Sequence, residues 1–306
     1  MAGALVVAMA AAAGVVVARG GANEASAASP SPTPSASGAP IDIHAVHGAS
    51  YLPALQGKRP LFILLIGSGA HPGQSVQGSL SDSIHLLGIN LKSRRATILG
   101  FPRDSWVPIP GHGSNKINAA SVYGGPPLLV QTVEQLTGIR IDFYVRTTFW
   151  GLTNLVNGVG GLNVNVPQAM HDSYSGANFS KGRHHLTGRQ ALAFARDRHD
   201  FASGDFARSA NQATLMQAAL AKFHRLFQQD PATLFKWIAV GYSQIQTNVP
   251  FPMLLDLALT ATQIPNANVN NKVVPGGGGT EGTASVVFIS PAARPMFAQM
   301  KARGYL

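Results

Sequence analysis

Runs of consecutive apolar residues alternate with amphipathic stretches from residue 61 onward. Consecutive apolar positions are typical of strands in a sheet that is covered on both faces. Most of the runs are short, bounded by polar or turn-forming residues, and rich in Val, Ile, Leu and Phe, which favours strands over helices. The pattern predicts strands at residues 61–66, 84–90, 96–101, 141–148, 162–166 and 286–289.

Helical patterns lie between these strands and define the fold class. One helix is predicted to start at Pro126-Pro127 and to end at Gly138, since proline suits the first turn and glycine the stop. Thr187 is a plausible N-cap for a second helix. The remaining helices are predicted at residues 207–227 and 254–262. The result is a three-layer α/β/α sandwich with a central mixed β-sheet.

The C-terminal part of the chain is predicted to complete this same domain, because residues 231–306 contribute a helix and a strand but no separate pattern. Gly276–Gly279 is predicted to be a mobile loop. It has neither the lysine nor the strand-to-helix context of a phosphate-binding P-loop. We therefore expect no nucleotide site there.

The N-terminal 19 residues predict a membrane anchor or an export signal, because residues 2–18 are uncharged and Arg19 follows them. A helix of 17 residues would reach roughly 26 Å, slightly short of the ~30 Å hydrocarbon layer. Ala25-Ser26-Ala27 resembles a signal cleavage site, and a buried helix is the remaining alternative. An anchor or a signal places the remainder outside the cytoplasmic membrane, attached by a single pass or secreted.

Residues 20–40 consist mainly of Ala, Ser, Pro and Gly, and they carry almost no large apolar side chain. Such a segment cannot bury enough surface to offset the entropy of ordering, so it predicts a disordered linker. The domain is then residues 41–306, with its most informative motifs at 61–227.

Composition narrows the chemistry. The 306 residues contain no cysteine, which excludes disulfides, a thiolate nucleophile and cysteine-bound metals. Lys and Arg outnumber Asp and Glu by 23 to 13, and the formal charge of +10 favours an anionic partner. No recognition helix or zinc-finger spacing indicates nucleic acid as that partner. A serine hydrolase is disfavoured because the G-x-S-x-G elbow is absent.

Residues 191–212, ALAFARDRHDFASGDFARSANQ, contain the densest group of arginines. Arg196 and Arg198 point to the same side if the chain is extended there, and Arg208 and Gln212 share one face of the following helix. Arg208 would also lie in the first helical turn, which favours anions. The three arginines are therefore candidates to bind a pyrophosphate. The alternative is a solvated face in which they pair with nearby aspartates such as Asp205.

A second group of candidates follows the strand at 96–101. Pro102 ends that strand and places Arg103 in the loop at its tip, where α/β sheets usually bind ligands. A turn held by pairing between Arg103 and Asp104 is an equally acceptable interpretation. Lys116 and Asn118 fall in a glycine-bounded loop at residues 113–125, and Lys116 is a candidate phosphate partner.

These motifs, in this order, are similar to those of the LytR-CpsA-Psr family. One such match would be weak, but together they span about 165 residues in one order. They are LFILLIGS at 61–68, SDS at 81–83, FPRDS at 101–105, KINAASVYGG at 116–125, VNGVGGLNVNVP at 156–167, KGRHHLTGRQALAFARDRHD at 181–200 and GDFAR-x-x-x-Q at 204–212.

The resemblance implies a phosphotransferase that moves a glycopolymer phosphate from a polyprenyl-pyrophosphate carrier onto peptidoglycan at the cytoplasmic membrane. It implies that Gln212 assists and that Asp82 helps to bind magnesium, while Asp205 joins Lys116, Asn118 and Gln212 as a candidate substrate-binding residue. The family's pyrophosphate-binding arginines match Arg103, Arg196, Arg198 and Arg208. Phosphoryl transfer needs positioning and neutralisation of charge more than a protein nucleophile, which agrees with this set.

Two departures from the family pattern keep other functions open. Gly69 stands where the family typically has a second magnesium-binding aspartate, which leaves Asp82 as the only matched carboxylate. Asn211 stands where an arginine is common. Asp82 itself also suits a turn or cap. The alternatives are a non-catalytic binder of polyprenyl pyrophosphate and a weak pyrophosphatase.

Overall fold

The computed structural model describes residues 52–70, 75–250 and 253–306. The predictions for residues 1–19 as an anchor or signal and for 20–40 as a linker lie outside these ranges, as does the start of the predicted domain at residue 41. No helix within the described ranges has the length and apolar character needed to cross a membrane.

A six-stranded sheet forms the centre of the described residues, and three two-stranded hairpins lie outside it. The strands are β1 (Leu61–Ser68), β2 (Ser81–Asn90), β3 (Arg95–Phe101), β4 (Trp106–Ile109), β5 (Gly113–Lys116), β6 (Phe143–Thr148), β7 (Leu162–Val166), β8 (Gly182–Leu186), β9 (Ile245–Thr247), β10 (Val269–Val273), β11 (Gly276–Glu281) and β12 (Ala284–Ile289).

The central sheet is mixed, as predicted, with the order β10-β3-β2-β1-β6-β9. β6 lies parallel to β1 and β10 lies parallel to β3, while the other neighbours are antiparallel. β9 and β10 belong to the C-terminal part of the chain, so residues 231–306 add strands to both edges of this same sheet.

Helices cover both faces of the sheet. They are α1 (Leu52–Leu55), α2 (Ala120–Thr137), α3 (Phe149–Gly158), α4 (Gly188–Arg196), α5 (Asp205–Gln229), α6 (Thr233–Tyr242), α7 (Met253–Thr262) and α8 (Ala293–Arg303).

The burial of β1 explains the layers. Every residue of β1 is buried, and successive side chains enter opposite cores because side chains alternate along a strand. Leu61, Ile63 and Leu65 pack with residues of α3 to α7. Phe62 and Leu64 pack with residues of α2 and α8. The predicted three-layer α/β/α arrangement is therefore confirmed, and the unbroken apolar run is its cause.

Most predicted elements are present with small shifts at their ends. The strand predicted from residue 141 begins at Phe143, and Asp142 before it donates its backbone N–H to Phe62 O at 2.9 Å. The helix predicted at Pro126-Pro127 is preceded by a turn of α2 and a break at Gly124–Gly125, where Gly125 has φ of 64°. Helical geometry thus resumes at the predicted proline pair.

The prediction of a mobile loop at the glycine run is wrong, since Gly276–Gly279 belong to β11 and pair with β12. A Cβ at Gly276 would lie 2.6 Å from the carbonyl oxygen of Phe288, and one at Gly279 would lie 2.7 Å from the Phe288 ring. Glycine therefore permits the close approach of the two strands. Composition suggested flexibility, but the pairing partner determines the conformation here.

Candidate active site

One edge of the central sheet brings the ends of several strands together. The last residue of β1 pairs with the first residue of β2, and the last residue of β3 pairs with Ile84 of β2. β10 runs parallel to β3 and ends opposite Gly100. Asp82 and Arg103 therefore emerge side by side at this edge, although they are 21 residues apart in the chain. Asp82 lies within β2, so its interpretation as a turn residue is wrong.

Arg103 stands at the tip of β3, as predicted, and it contacts three aspartates. Its Nη1 pairs with Asp82 Oδ1, its backbone N–H donates to Asp205 Oδ2 at 2.8 Å, and its Nε lies 3.9 Å from Asp104 Oδ2. Burial by itself lowers the pKa of Arg103, but the attraction of Asp82 and Asp104 outweighs it and raises that pKa. The guanidinium is therefore held in its charged form.

Arg208 lies in the first turn of α5 and pairs through Nη2 with Asp205 Oδ1, three residues before it. The side chains are 7% and 10% exposed, so the pair is buried rather than solvated. Burial lowers the pKa of Arg208 and raises the pKa of Asp205, while the attraction between the two groups opposes both shifts. Asp205 therefore contacts both arginines, since one carboxylate oxygen accepts from the backbone N–H of Arg103 and the other pairs with Arg208.

Gln212, one turn after Arg208, connects three elements of the site. Its Nε2 donates to Asp82 O at 3.3 Å and to Ala195 O at 3.2 Å. The amide therefore ties α5 to β2 and to the last turn of α4. Arg208 and Gln212 share a helix face, as their spacing predicts, and both line the same cavity.

Arg196 and Arg198 reach that cavity because α4 ends between them. Arg196 is the last residue of α4, and Asp197 is extended with φ of −62° and ψ of 130°. Residues on either side of an extended residue point the same way, which is the geometry predicted from their spacing. The Arg196 guanidinium carbon lies 5.0 Å from the ring centre of Phe149, a cation–π distance.

The cavity has a volume of about 480 Å³ and contains all four predicted arginines. Four arginines against two aspartates leave its lining with an excess of positive charge. Its residues are Asp82, Arg103, Phe149, Asp172, Tyr174, Ser175, Arg196, Arg198, His199, Arg208 and Gln212. Such a lining suits a ligand with several negative charges.

Three of the predicted substrate-binding residues do not line this cavity. Lys116 and Asn118 were expected in a loop, but Lys116 ends β5 and Asn118 lies in a short 3-10 helix. Lys116 Nζ pairs with Asp104 Oδ1 at 3.1 Å, and the backbone N–H of Asn118 donates to Arg103 O at 3.3 Å. These two residues, like Asp205, contact the loop that carries Arg103.

Five lining residues were not predicted from the sequence: Phe149, Asp172, Tyr174, Ser175 and His199. His199 follows Arg198 directly, so its position in the arginine-rich segment was an available signal. Asp172 and Tyr174 come from the segment after β7, where nothing local indicates a site. Their contribution depends on how that segment folds against residues 196–199.

The carboxylates of the site fit a magnesium ion only in part. Among the described residues, no group of three or more His, Asp or Glu side chains is placed to hold a metal. Asp82 Oδ1 pairs with Arg103, and a Cβ built at Gly69 would contact Asp82 Oδ2. Gly69 therefore lies next to Asp82, the one matched carboxylate, at the position where the family typically has its second aspartate. Magnesium commonly uses one or two carboxylates together with water and phosphate oxygens, so Asp82 suffices only with a phosphorylated ligand.

Comparison with known proteins agrees with this fold. The chain matches the LytR_cpsA_psr family over residues 21–302 and belongs to it. It is 37% identical over 169 residues to the polyisoprenyl-teichoic acid–peptidoglycan teichoic acid transferase TagU of Bacillus mycoides (strain KBAB4), covering 54% of this chain and 53% of that protein. It is 35% identical over 174 residues to the corresponding transferase TagT of Bacillus subtilis (strain 168), covering 54% and 53%.

The chain therefore spans about half the length of these relatives. Among solved structures, it is similar to TagV of B. subtilis, with a TM-score of 0.70, 27% identity and coverage of 81% of this chain and 99% of that one. It is also similar to protein gbs0355 of Streptococcus agalactiae, with a TM-score of 0.71, 25% identity and coverage of 81% and 89%. These similarities agree with the α/β fold described above.

Proposed function

We propose that this chain is a phosphotransferase that moves a glycopolymer phosphate from a polyprenyl-pyrophosphate carrier to a hydroxyl of peptidoglycan. The relatives' names specify a polyisoprenyl-linked teichoic acid as donor and peptidoglycan as acceptor. The proposal leaves the identity of the polymer open, since it assigns the arginines to the pyrophosphate and assigns no residue to the repeating unit.

One observation carries this proposal: Arg103, Arg196, Arg198 and Arg208 line a single cavity although they come from three separate elements. The Nε of Arg103 is buried and has no hydrogen-bond partner among the described residues. Buried polar groups are usually satisfied, so an unused N–H in a cationic cavity favours an anionic ligand that accepts from it. A pyrophosphate offers several such oxygens, and guanidinium groups bind them in bidentate fashion.

The arginines have a direct role in the reaction. An acceptor hydroxyl attacks the glycan-bearing phosphorus, and the bond from that phosphorus to the bridging oxygen breaks. The electron pair leaves with the polyprenyl phosphate, whose new negative charge the arginines stabilise. Asp82 and Asp205 hold Arg103 and Arg208 in place before the ligand arrives. This is positioning and electrostatic stabilisation, on which phosphoryl transfer mainly depends.

A magnesium ion is part of this proposal. Asp82 would hold it jointly with phosphate oxygens, and the ion would neutralise further charge on the pyrophosphate. Gly69 contributes no ligand, so we expect the ion to bind mainly with the substrate rather than to the empty protein.

We also propose that the domain works outside the cytoplasmic membrane, joined to it by the N-terminal segment, with secretion after signal cleavage as the alternative. A lipid carrier and a peptidoglycan acceptor are both found there. Nucleic acid is not among the proposed partners. The arginines of the cluster line a cavity of limited volume, whereas nucleic-acid binding typically uses an open basic surface.

The second candidate is a binder of polyprenyl pyrophosphate with little or no transferase activity, or a weak pyrophosphatase. Gly69 is the observation that favours it, because the site has one matched carboxylate next to a position that lacks a side chain. Such a protein would retain the arginine cavity and bind the lipid without joining it to peptidoglycan.

The deciding experiment uses the full chain in detergent with a lipid-linked glycan phosphate, peptidoglycan oligomers and magnesium. We expect a joined glycan–peptidoglycan product and free polyprenyl phosphate, both detected by mass spectrometry. Bound lipid without any product would support the binder instead. Release of glycan phosphate to water, with no joined product, would support the pyrophosphatase.

A further inference from the structure

An aspartate and a histidine in the wall of the arginine cavity form a pair of their own, outside the arginine cluster. His199 Nδ1 lies 3.1 Å from Asp172 Oδ2, across 27 residues of sequence. The Asp172 side chain is 1% exposed, whereas the His199 side chain is 44% exposed. The carboxylate is thus enclosed and the imidazole reaches into the cavity.

Asp172 is itself held firmly. Its Oδ1 accepts from the backbone N–H of Tyr174 at 2.9 Å, and its carbonyl oxygen accepts from Gly176 N at 2.9 Å. Burial alone raises the pKa of Asp172, but the hydrogen bonds from His199 and Tyr174 outweigh it and lower that pKa. An ionised carboxylate accepts only, so His199 Nδ1 is the donor. The lone pair of the neutral ring is then on Nε2.

The ring of His199 also has an aromatic neighbour. The Tyr174 ring centre lies 4.8 Å from that of His199, in a tilted arrangement. Asp172 therefore orients the imidazole through Nδ1, and the exposed Tyr174 ring lies beside it. A carboxylate that fixes the tautomer of a histidine base is a recurring device in enzymes that activate hydroxyl groups.

His199 lies at the boundary between two cavities. The second cavity, of about 780 Å³, shares Arg198 and His199 with the arginine cavity. Its other walls combine small or apolar residues, such as Gly277 and Val287, with the carboxylates of Asp104 and Asp205. A hydroxyl group that entered through the second cavity would meet His199 at the border of the pyrophosphate site.

We propose that His199 is the general base that takes the proton of the acceptor hydroxyl, and that Asp172 is the positioning residue that orients it. The acceptor enters through the second cavity. This inference rests on the proposed transferase function and adds the residue that activates its nucleophile.

The proton and electron balance is complete. The acceptor oxygen forms a bond to the glycan-bearing phosphorus as its proton passes to His199 Nε2. The bond from phosphorus to the bridging oxygen breaks, and polyprenyl phosphate leaves with the electron pair. The Asp172 carboxylate stabilises the imidazolium until it releases the proton to water. No oxidant, reductant or further reactant takes part.

Charged groups of both signs surround His199. Arg198 precedes it and Asp200 follows it, Arg196 shares its cavity, and Asp104 and Asp205 line the second cavity. Because opposite charges are mixed in this way, the test relies on rates and rescue rather than on a pH profile alone.

The test compares His199→Ala with the unaltered full chain. We expect kcat for ligation to fall about 100-fold or more, as removal of a general base typically does, while affinity for the lipid pyrophosphate changes less than threefold. Added imidazole should restore part of the rate in His199→Ala. Asp172→Asn should lower kcat with little change in the acceptor KM, and imidazole should not rescue it.

His185→Ala is the matched control, because His185 is exposed on β8 and lines neither cavity. An unaltered kcat in His199→Ala, with a folded protein, would overturn the assignment of the base. Lower activity without imidazole rescue, together with weaker lipid binding, would also overturn it, since His199 would then be a binding residue. If the unaltered chain forms no product, the proposed transferase function fails instead, which is a distinguishable result.

Discussion

The two cavities that meet at His199 differ in what lines them. The first is built from arginines that are held by carboxylates and by Gln212, and its volume of about 480 Å³ suits a compact anion. The second is larger, about 780 Å³, and its walls combine glycines, valines and serines with Asp104 and Asp205. The arginine cavity is therefore suited to bind a negatively charged group, and the second cavity has room for a larger group.

In the proposed reaction, the arginine cavity binds the donor and the second cavity binds the acceptor. A donor pyrophosphate requires fixed positive charge, which α4, α5 and the loop after β3 supply. An acceptor glycan requires room and a nearby base but no strong charge, which the β11–β12 hairpin and His199 supply. Gly276 and Gly279 allow β11 to lie close to β12, whereas Gly277 and Gly278 leave open space at the wall of the second cavity.

Arg208→Ala should have the largest effect, because it leaves the carboxylate of Asp205 buried without its partner. Breaking a buried pair costs about 3–5 kcal/mol of stability, and the first cavity loses a cation as well. We expect ligation to be abolished and the midpoint of urea unfolding to fall. Arg225→Ala, on the exposed side of the same helix, is the control. An unchanged urea midpoint would show that the Asp205 pair does not support the cavity.

His85 should make stability depend on pH beneath the first cavity. It is fully buried, its Nε2–H donates to Ser209 O at 3.1 Å, and its Nδ1 accepts from Ser83 Oγ at 2.9 Å. Burial lowers its pKa to about 4. The unfolded chain therefore binds a proton at this histidine near pH 6.5, whereas the folded chain does so only near pH 4. The folding stability that is present above pH 6.5 is lost as the pH falls towards 4.

The full effect of this shift is about 3 kcal/mol. Asp197 works in the opposite direction, since burial raises its pKa to about 6 and its contribution to stability falls as pH rises through that range. The difference between the unaltered chain and His85→Gln isolates the histidine. Urea unfolding at pH 7, 6, 5 and 4.5 should give a flatter pH dependence for His85→Gln, and parallel curves would contradict the assignment.

Arg196→Ala should weaken pyrophosphate binding while leaving the fold intact. Its guanidinium contacts the Phe149 ring and forms no ion pair within the described residues. Loss of one charge-assisted contact of about 1.5–3 kcal/mol predicts binding roughly ten- to hundredfold weaker. Titration calorimetry with inorganic pyrophosphate measures this directly. Arg189→Ala, exposed on the same helix, should bind as the unaltered chain does, and equal affinity in both variants would remove Arg196 from the site.

Gly278→Trp should affect only the second cavity. Gly278 lines that cavity, and a Cβ added to it meets no atom within 4 Å, so the indole extends into the open space. We expect the KM for the peptidoglycan acceptor to rise about tenfold, which corresponds to about 1.4 kcal/mol, with pyrophosphate affinity unchanged. Thr280→Trp on the same strand, which lines neither cavity, is the control. An unchanged acceptor KM in Gly278→Trp would place the acceptor elsewhere.

Gly69→Asp should have the smallest effect and should strengthen magnesium binding. The new carboxylate would stand beside Asp82, whose flexible side chain can move to receive it. We expect magnesium affinity in the presence of inorganic pyrophosphate to rise on the order of tenfold, since about 1.4 kcal/mol of added attraction gives that factor. Gly69→Asn has nearly the same size without the charge, and an equal gain in that variant would exclude the carboxylate as the cause.

Much of the fold followed from local patterns. The apolar run of β1 predicted a strand covered on both faces, because a strand with one wet face would alternate. Pro126 and Gly138 predicted the ends of the regular part of α2 through their backbone preferences. The glycines of β11 were misassigned because composition reports flexibility but not the strand that a segment pairs with. Lys116 and Asn118 were placed in a loop for the same reason.

The sequence by itself determined the arginine-rich segment and the spacing that turns Arg196 and Arg198 to one side, since these follow from backbone geometry over a few residues. Only the tertiary structure decided that Arg103 meets Asp82, and that His199 meets Asp172 across 27 residues. Sheet register and chain crossings set such contacts, and no local periodicity encodes them. The same holds for the second cavity, whose lining combines the start of α5 with the β11–β12 hairpin.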